Sequence, residues 1–277
     1  MAFTAVQVGV LRIGIASLAL LPMAIMHIKR FPRRKWKFIL ISGIVGNLIP
    51  AYLFAQAETG IDSSLAGVLN SMTPLFTLLL GLAFFQQKVT YSNTIGVVIA
   101  LIGAFGLIRI SGGHEFAFNL KYSMLVFIAT ICYATNINLV KRYLQDVPAL
   151  LITVYAFFVI GIISWIVLFS GTDFVERVST HPGAIKSLGF IAILAVMGTA
   201  VAMILFNHLI RISNAVFASS VTYLMPIMAV IWGIIDGEPF EPGYLMWIAL
   251  ILGGVFLVNS NKRFVSLILK KFKNKSG

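Results

Sequence analysis

Acidic residues are the scarcest charge in this 277-residue sequence: nine aspartates and glutamates stand against 21 lysines and arginines. All charged residues together make up only 11% of the chain, less than half of the roughly 25% found in ordinary soluble domains. With so little charge, 59% hydrophobic residues and a mean hydropathy of +0.97, the chain has too little polar surface to face water on all sides. The single cysteine, Cys132, excludes an intramolecular disulfide and a cysteine-rich metal site. No HExxH zinc motif, paired intramembrane carboxylates or Ser-His arrangement at depth is present, so a membrane-embedded enzyme would lack its chemistry. A glycine-rich phosphate loop ending in Lys-Ser/Thr is also missing, which excludes direct drive by ATP within this chain. The start, "MAFTAVQVGVLRIGIASLALLPMAI", lacks the basic head and small-residue cleavage site of a signal peptide and reads as a helix that stays.

What the sequence does have is long apolar runs. Nine blocks approach the ~20 residues needed to span a bilayer: roughly 3–26, 37–57, 63–86, 93–110, 121–141, 148–170, 187–209, 214–236 and 243–260. They are too long and too unalternating for barrel strands, and lipid offers backbone groups no partner, so an all-α polytopic membrane helix bundle is expected. Basic residues sort cleanly between alternate loops. One set, holding "HIKRFPRRKWK", Lys88, Lys141, Arg142, Arg211 and the tail from Lys262 to Lys275, carries sixteen, whereas the other carries Arg109, Lys121, Arg177 and Lys186. The rich set is expected in the cytoplasm, with the C-terminus, in a multi-pass plasma-membrane protein. The net charge of +12 then marks one membrane face and not a nucleic-acid partner. The basic tail 261–277, interleaved with Phe264, Leu267, Ile268 and Phe272, suits either a short helix on an anionic inner leaflet or a solvated segment.

A shift of 152 residues lays the middle of the chain on its later part. Gly46, Ala66, Pro74 and Gly81 fall on Gly198, Ala218, Pro226 and Gly233. Five helices separate equivalent positions, an odd number, so the repeat is inverted: residues 1–112 form a first half with four visible helices and 113–260 a second with five. The partner of the fifth helix would precede Met1, a position at which an upstream apolar stretch of about 20 residues is expected.

Both copies carry a broken helix. "SSLAGVLNSMTPLFTLLLG" interrupts an apolar run with Asn70, Ser71, Thr73 and Pro74, and "AVFASSVTYLMPIMAVIWG" does so with Thr222, Tyr223 and Pro226. Proline inside a helix frees backbone groups that must then face protein or water, and in inverted-repeat transporters such breaks bind substrate near the bilayer midplane. The bland counterpart is a pair of packing kinks. Asn47, Gln56, Tyr133, Asn136 and Asn207 lie at similar depth and can line a cavity; any one of them alone is more often an interhelical hydrogen bond, and the cluster is stronger evidence than its members. Arg12 lies within an apolar block, where a charge costs about 2.5–3.5 kcal/mol. Either a substrate carboxylate or helix-end carbonyls and Glu58 must compensate it. His208 can couple protons or serve as an interfacial hydrogen bonder.

"AQAETGIDSSLAGVLNSMTPLFTLLLG", "IGVVIALIGAFGLI" and "MPIMAVIWGIIDGE" resemble the EamA-type members of the drug/metabolite transporter superfamily over essentially the whole chain. The resemblance implies ten helices in two inverted five-helix halves, transporting small metabolites or drugs, often outward; separately, no cofactor or metal is expected to be needed. Two features depart from it: the first family helix is absent, and Gln86 and Gln87 replace an acidic residue that Glu238 retains in the second half. The expected function is secondary transport of small metabolites or drugs by alternating access around a midplane cavity, with export implied by the resemblance alone; the alternative is a non-transporting membrane sensor or assembly subunit. Substrate, direction and oligomeric state are left open by the sequence.

Overall fold

In lipid, a largely apolar run of 17 to 24 residues satisfies its backbone only by closing helical hydrogen bonds on itself, and the computed structural model is built from such helices. It describes residues 2–61, 63–111, 119–235 and 242–259, and no strand occurs among them. The basic tail 261–277 and Glu238 lie outside the described residues. The helices are α1 (Ala5–Met26), α2 (Trp36–Gly43), α3 (Ile49–Ala57), α4 (Ser63–Asn70), α5 (Thr73–Phe84), α6 (Tyr91–Ser111) and α7 (Leu120–Tyr143). They continue as α8 (Ala149–Gly171), α9 (Phe174–Thr180), α10 (Ala184–Ala195), α11 (Ala202–Ile212), α12 (Ala215–Ser219), α13 (Leu224–Ile235) and α14 (Gly243–Asn259). Seven continuous stretches are long and apolar enough to cross a membrane, and Thr73–Phe84 and Gly243–Val258 are shorter apolar helices.

Each of the nine apolar blocks is therefore helical. Four are also interrupted: α2 passes into α3, α4 into α5, α10 into α11, and α12 into α13. The short helix α9 was not among the expected elements. It begins after Asp173, which accepts a hydrogen bond from Gln7 Nε2 at 2.8 Å and pairs with Arg177 at 2.6 Å.

Two helix pairs organise the bundle. α6 and α14 begin 152 residues apart, at Tyr91 and Gly243, and pack against each other in opposite directions. Gly96 faces Gly254 and Val258, while Gly103 faces Ile251 and Trp247. A Cβ on Gly96 or on Gly254 would lie only 2.6 Å from the other's carbonyl oxygen, so the backbones meet directly. Asn93 Nδ2 ties the same seam to Val258 O at 2.7 Å. α1 and α8 cross in the same antiparallel sense: Gly14 lies against Trp165, Ser17 against Gly161, and Tyr155 OH donates to His27 O at 2.8 Å. Small residues at such crossings allow the close approach that holds helices together in lipid, where no hydrophobic force does so. The largest buried cluster joins α1, α7 and α8 through Leu20, Ile137, Val140, Ile152, Phe157 and Ile160.

Candidate functional site

Two kinds of backbone interruption recur in the two parts of the chain, and each arises from local sequence. The first is a π turn, in which one additional residue per turn widens the helix and loosens its hydrogen-bond ladder. Ile44–Leu48 forms one between α2 and α3, and Val196–Val201 forms the other between α10 and α11. Their first residues are 152 apart, and Gly46 and Gly198 occupy the same place in each. Pro50 has no N–H to return to the Gly46 carbonyl, which accounts for the first turn. Ala202 stands at the corresponding position after the second, so proline does not explain that one.

The second interruption precedes each proline. Residues 71–72 separate α4 from α5, and a 3₁₀ turn at Ser220–Tyr223 separates α12 from α13. Pro74 and Pro226 are both buried, each within the first turn of the helix it opens, where proline is tolerated. Thr73 Oγ1 donates to Asn70 O at 2.7 Å, which satisfies a carbonyl freed by the break. Asn70 Nδ2 reaches Met225 Sδ at 3.3 Å, so the two interruptions touch.

The polar side chains gather in three groups. Around the first π turn, Asn136 is buried with its carboxamide against Gly46, and any Cβ at Gly46 would collide with it. Tyr133, one turn earlier on α7, has its ring 6.0 Å from that of Phe54. Arg12 on α1 lies within electrostatic reach of Tyr133. Asn47 is half-buried in the π turn itself. The second group is Asn70 and Thr73, 7% and 1% exposed, beside Met225. The third is Asn207, whose Nδ2 donates to Thr153 Oγ1 at 2.9 Å and so joins α11 to α8. Buried acceptors without a donor remain on Asn136 and Asn207.

Other expected residues stand apart. Tyr223 is fully buried, and its hydroxyl donates to Val97 O at 3.1 Å, fastening the 3₁₀ turn to α6. Thr222 donates to Ser219 O at 2.9 Å within its own turn. Gln56 is half-buried near the end of α3, and His208 is exposed on α11. Sequence reasoning missed Thr153 and Asn138. Asn138 Nδ2 donates to Thr77 O at 2.9 Å, stitching α7 to the helix opened by Pro74. Its signal was the close pair Asn136 and Asn138; Thr153, a lone hydroxyl in an apolar run, gave none.

The basic end of the bundle is closed by a polar clasp. Lys35 Nζ lies 3.1 Å from Asp146 Oδ1 and donates to Tyr143 O at 2.7 Å. Arg211 Nε donates to Gln145 O at 3.1 Å, Lys141 Nζ donates to Arg211 O at 3.0 Å, and Phe38 stacks on Tyr143. The short segment after α7 thus binds both the linker before α2 and the end of α11. The hydrogen-bonded ion pair with Lys35 holds the Asp146 carboxyl below the usual carboxylate range. At the other end, the Arg177 hydrogen bond does the same for Asp173.

Comparison with known proteins places the arrangement. The model of the EamA-like transporter family matches residues 2–109 and again 120–260. An uncharacterized transporter of Archaeoglobus fulgidus is 24% identical over 268 residues, covering 93% of this chain and 93% of its own. The uncharacterized transporter YetK of Bacillus subtilis is 26% identical, over 91% of this chain and 78% of its own. A protein of Streptantibioticus cattleyicolor named a probable terminal-alkyne amino-acid exporter is 24% identical, over 93% and 88% respectively. A solved crystal structure aligns with a TM-score of 0.72 at 15% identity, covering 92% of this chain and 89% of that one, a likeness of fold.

Proposed function

The chain belongs to the EamA-like transporter family, and from that premise we propose that it is a secondary transporter exporting small metabolites or drugs. It works by alternating access around a site at mid-depth, built where the paired interruptions and their polar side chains converge. The two parts, 1–112 and 113–260, rock against each other about the α6–α14 and α1–α8 seams. The basic end, with the tail 261–277, faces the cytoplasm and an anionic inner leaflet. The observation that carries the reading is the recurrence of both backbone interruptions at one spacing, with Asn70 reaching Met225 between them. Irregular backbone at depth is tolerated where it is buried in protein or lines a water-filled cavity, and Asn136 against the first π turn, with Tyr133 one turn away on α7, suits such a cavity.

Reconstitution of the purified chain into liposomes, with a panel of amino acids, nucleosides and cationic drugs, tests this. Uptake or efflux without ATP is expected, and replacing Asn70 and Thr222 together by alanine is expected to lower it while expression holds. A protein that inserts normally, assembles with other subunits and moves no member of the panel would overturn the reading in favour of a non-transporting subunit.

A further inference from the structure

Arg12 is the eighth residue of the 22-residue α1. Among the described residues, every other lysine or arginine on a membrane-length helix lies within three residues of a helix end. The described residues contain two ion pairs, Lys35 with Asp146 and Arg177 with Asp173, both at the ends of the bundle. Arg12 enters neither. Glu58, the acidic residue nearest in the sequence, is exposed at the end of α3 and makes no ion pair with it. Arg12 Nε is enclosed by protein and has no hydrogen-bond partner. The guanidinium is therefore half-buried partway along a membrane-length helix, with one N–H enclosed and unbonded and no carboxylate among the described residues paired with it.

Resting on the transporter reading above, we propose that the missing countercharge is the substrate's carboxylate, and that this protein moves small monocarboxylates, amino acids among them, in preference to cations or neutral drugs. The surroundings fit that class. α1 approaches α3 closely at this level, where a Cβ on Gly9 would sit 3.6 Å from Ala51 O. Tyr133 lies within electrostatic reach of Arg12, and its ring is 6.0 Å from that of Phe54, so a phenol and an aromatic ring stand in the same part of the bundle. A planar carboxylate matches the guanidinium fork through two parallel hydrogen bonds, which chloride cannot do. One carboxylate cancels one guanidinium. A phosphate monoester, carrying about −1.5 to −2 charges, would leave the site net negative in a low-dielectric span.

The test uses the full chain in proteoliposomes with matched probes: leucine, phenylalanine and glutamine as free acids, as their amides and as the decarboxylated amines. Uptake of at least one free acid is expected, with its amide and amine moved far less. Arg12→Gln is expected to lower kcat/KM for that acid by about 30-fold or more, the loss that follows from stranding one partner of a buried charge pair. Arg12→Lys is expected to retain part of the rate with a raised KM, since it keeps the charge and loses the fork. Where Arg12→Gln fails to fold, competition on the unaltered protein decides: the methyl ester of a transported acid is expected to compete poorly. Amides or amines carried as well as the acids, or an ester competing as well as its acid, would overturn the carboxylate assignment and leave the transporter reading standing. Absence of uptake for these probes and for the broader panel above would overturn both.

Discussion

At the residue scale, Gly46 and Gly198 share a place in the repeat and differ in surroundings. A methyl group at Gly46 would drive into the Asn136 carboxamide, whereas at Gly198 only the flexible end of Leu194 lies within close range, at 2.9 Å. Gly46→Ala is therefore expected to cost about 1–3 kcal/mol and to lower transport. Gly198→Ala should change thermal stability in detergent little; equal losses would refute the asymmetry. Gln86 gives a second prediction. It holds a left-handed φ of 52° and accepts a 2.8 Å hydrogen bond from Arg142. A carboxylate there would convert that bond to an exposed ion pair, so Gln86→Glu is expected to raise stability by roughly 0–1 kcal/mol, read from the melting temperature. This contact gives structural meaning to one departure from the family pattern. Arg12 and Asn136 were legible in the sequence as polar groups out of place. Their neighbours were not, because nothing in a linear apolar run says that Tyr133 will lie near Arg12 or that Thr153 will meet Asn207.

Among elements, the nine apolar blocks could be read from length and hydropathy because spanning helices must be long and uncharged. The break before Pro74 was equally legible, since proline and three polar residues fall together. The π turns were invisible: one additional residue in a turn leaves the composition of an apolar helix unchanged, and only Pro50 hinted at the first. The short helix α9 was hidden for the opposite reason, being too brief and polar to stand out. Deleting one residue from Ile44–Leu48 would restore a regular helix and rotate α3 by about 100° relative to α2. Transport is then expected to be lost even in protein that still inserts, whereas unchanged uptake would show that the wide turn plays no part. The seam between α6 and α14 predicts a different failure. Gly254→Leu has no space to enter, since Ala100 Cβ would lie 2.7 Å from even its first side-chain atom, and is expected to abolish folded protein on size-exclusion chromatography. Gly253→Ala, on an open face, is expected to be neutral.

For the whole molecule, the clasp at the basic end links segments far apart in sequence and answers to pH in one direction only. Lys35 holds the Asp146 carboxyl low, with Arg211 adding to the effect. Its contribution is present above the ordinary carboxylate range and is lost as pH falls through the depressed value. Asp146→Asn is therefore expected to lower stability at neutral pH by less than about 1 kcal/mol, the scale of an exposed pair. The difference from the unaltered protein should begin to shrink as pH falls below about 4 and vanish only below the depressed value. Melting temperatures of both proteins across pH check this; a difference that grows on acidification would contradict it.

The bare contact of Gly96 with Gly254 sets what movement the bundle permits. At Gly96 and Gly254 themselves no side chain intervenes, so small changes of crossing angle are least opposed there, while Trp247 and Ile251 seated against Gly106 and Gly103 oppose large ones. Being tied by Asn93 to Val258 O, the helices resist being drawn apart. The joint behaves as a rivet: the spacing is fixed, and the two rods turn about this point by small angles without separating.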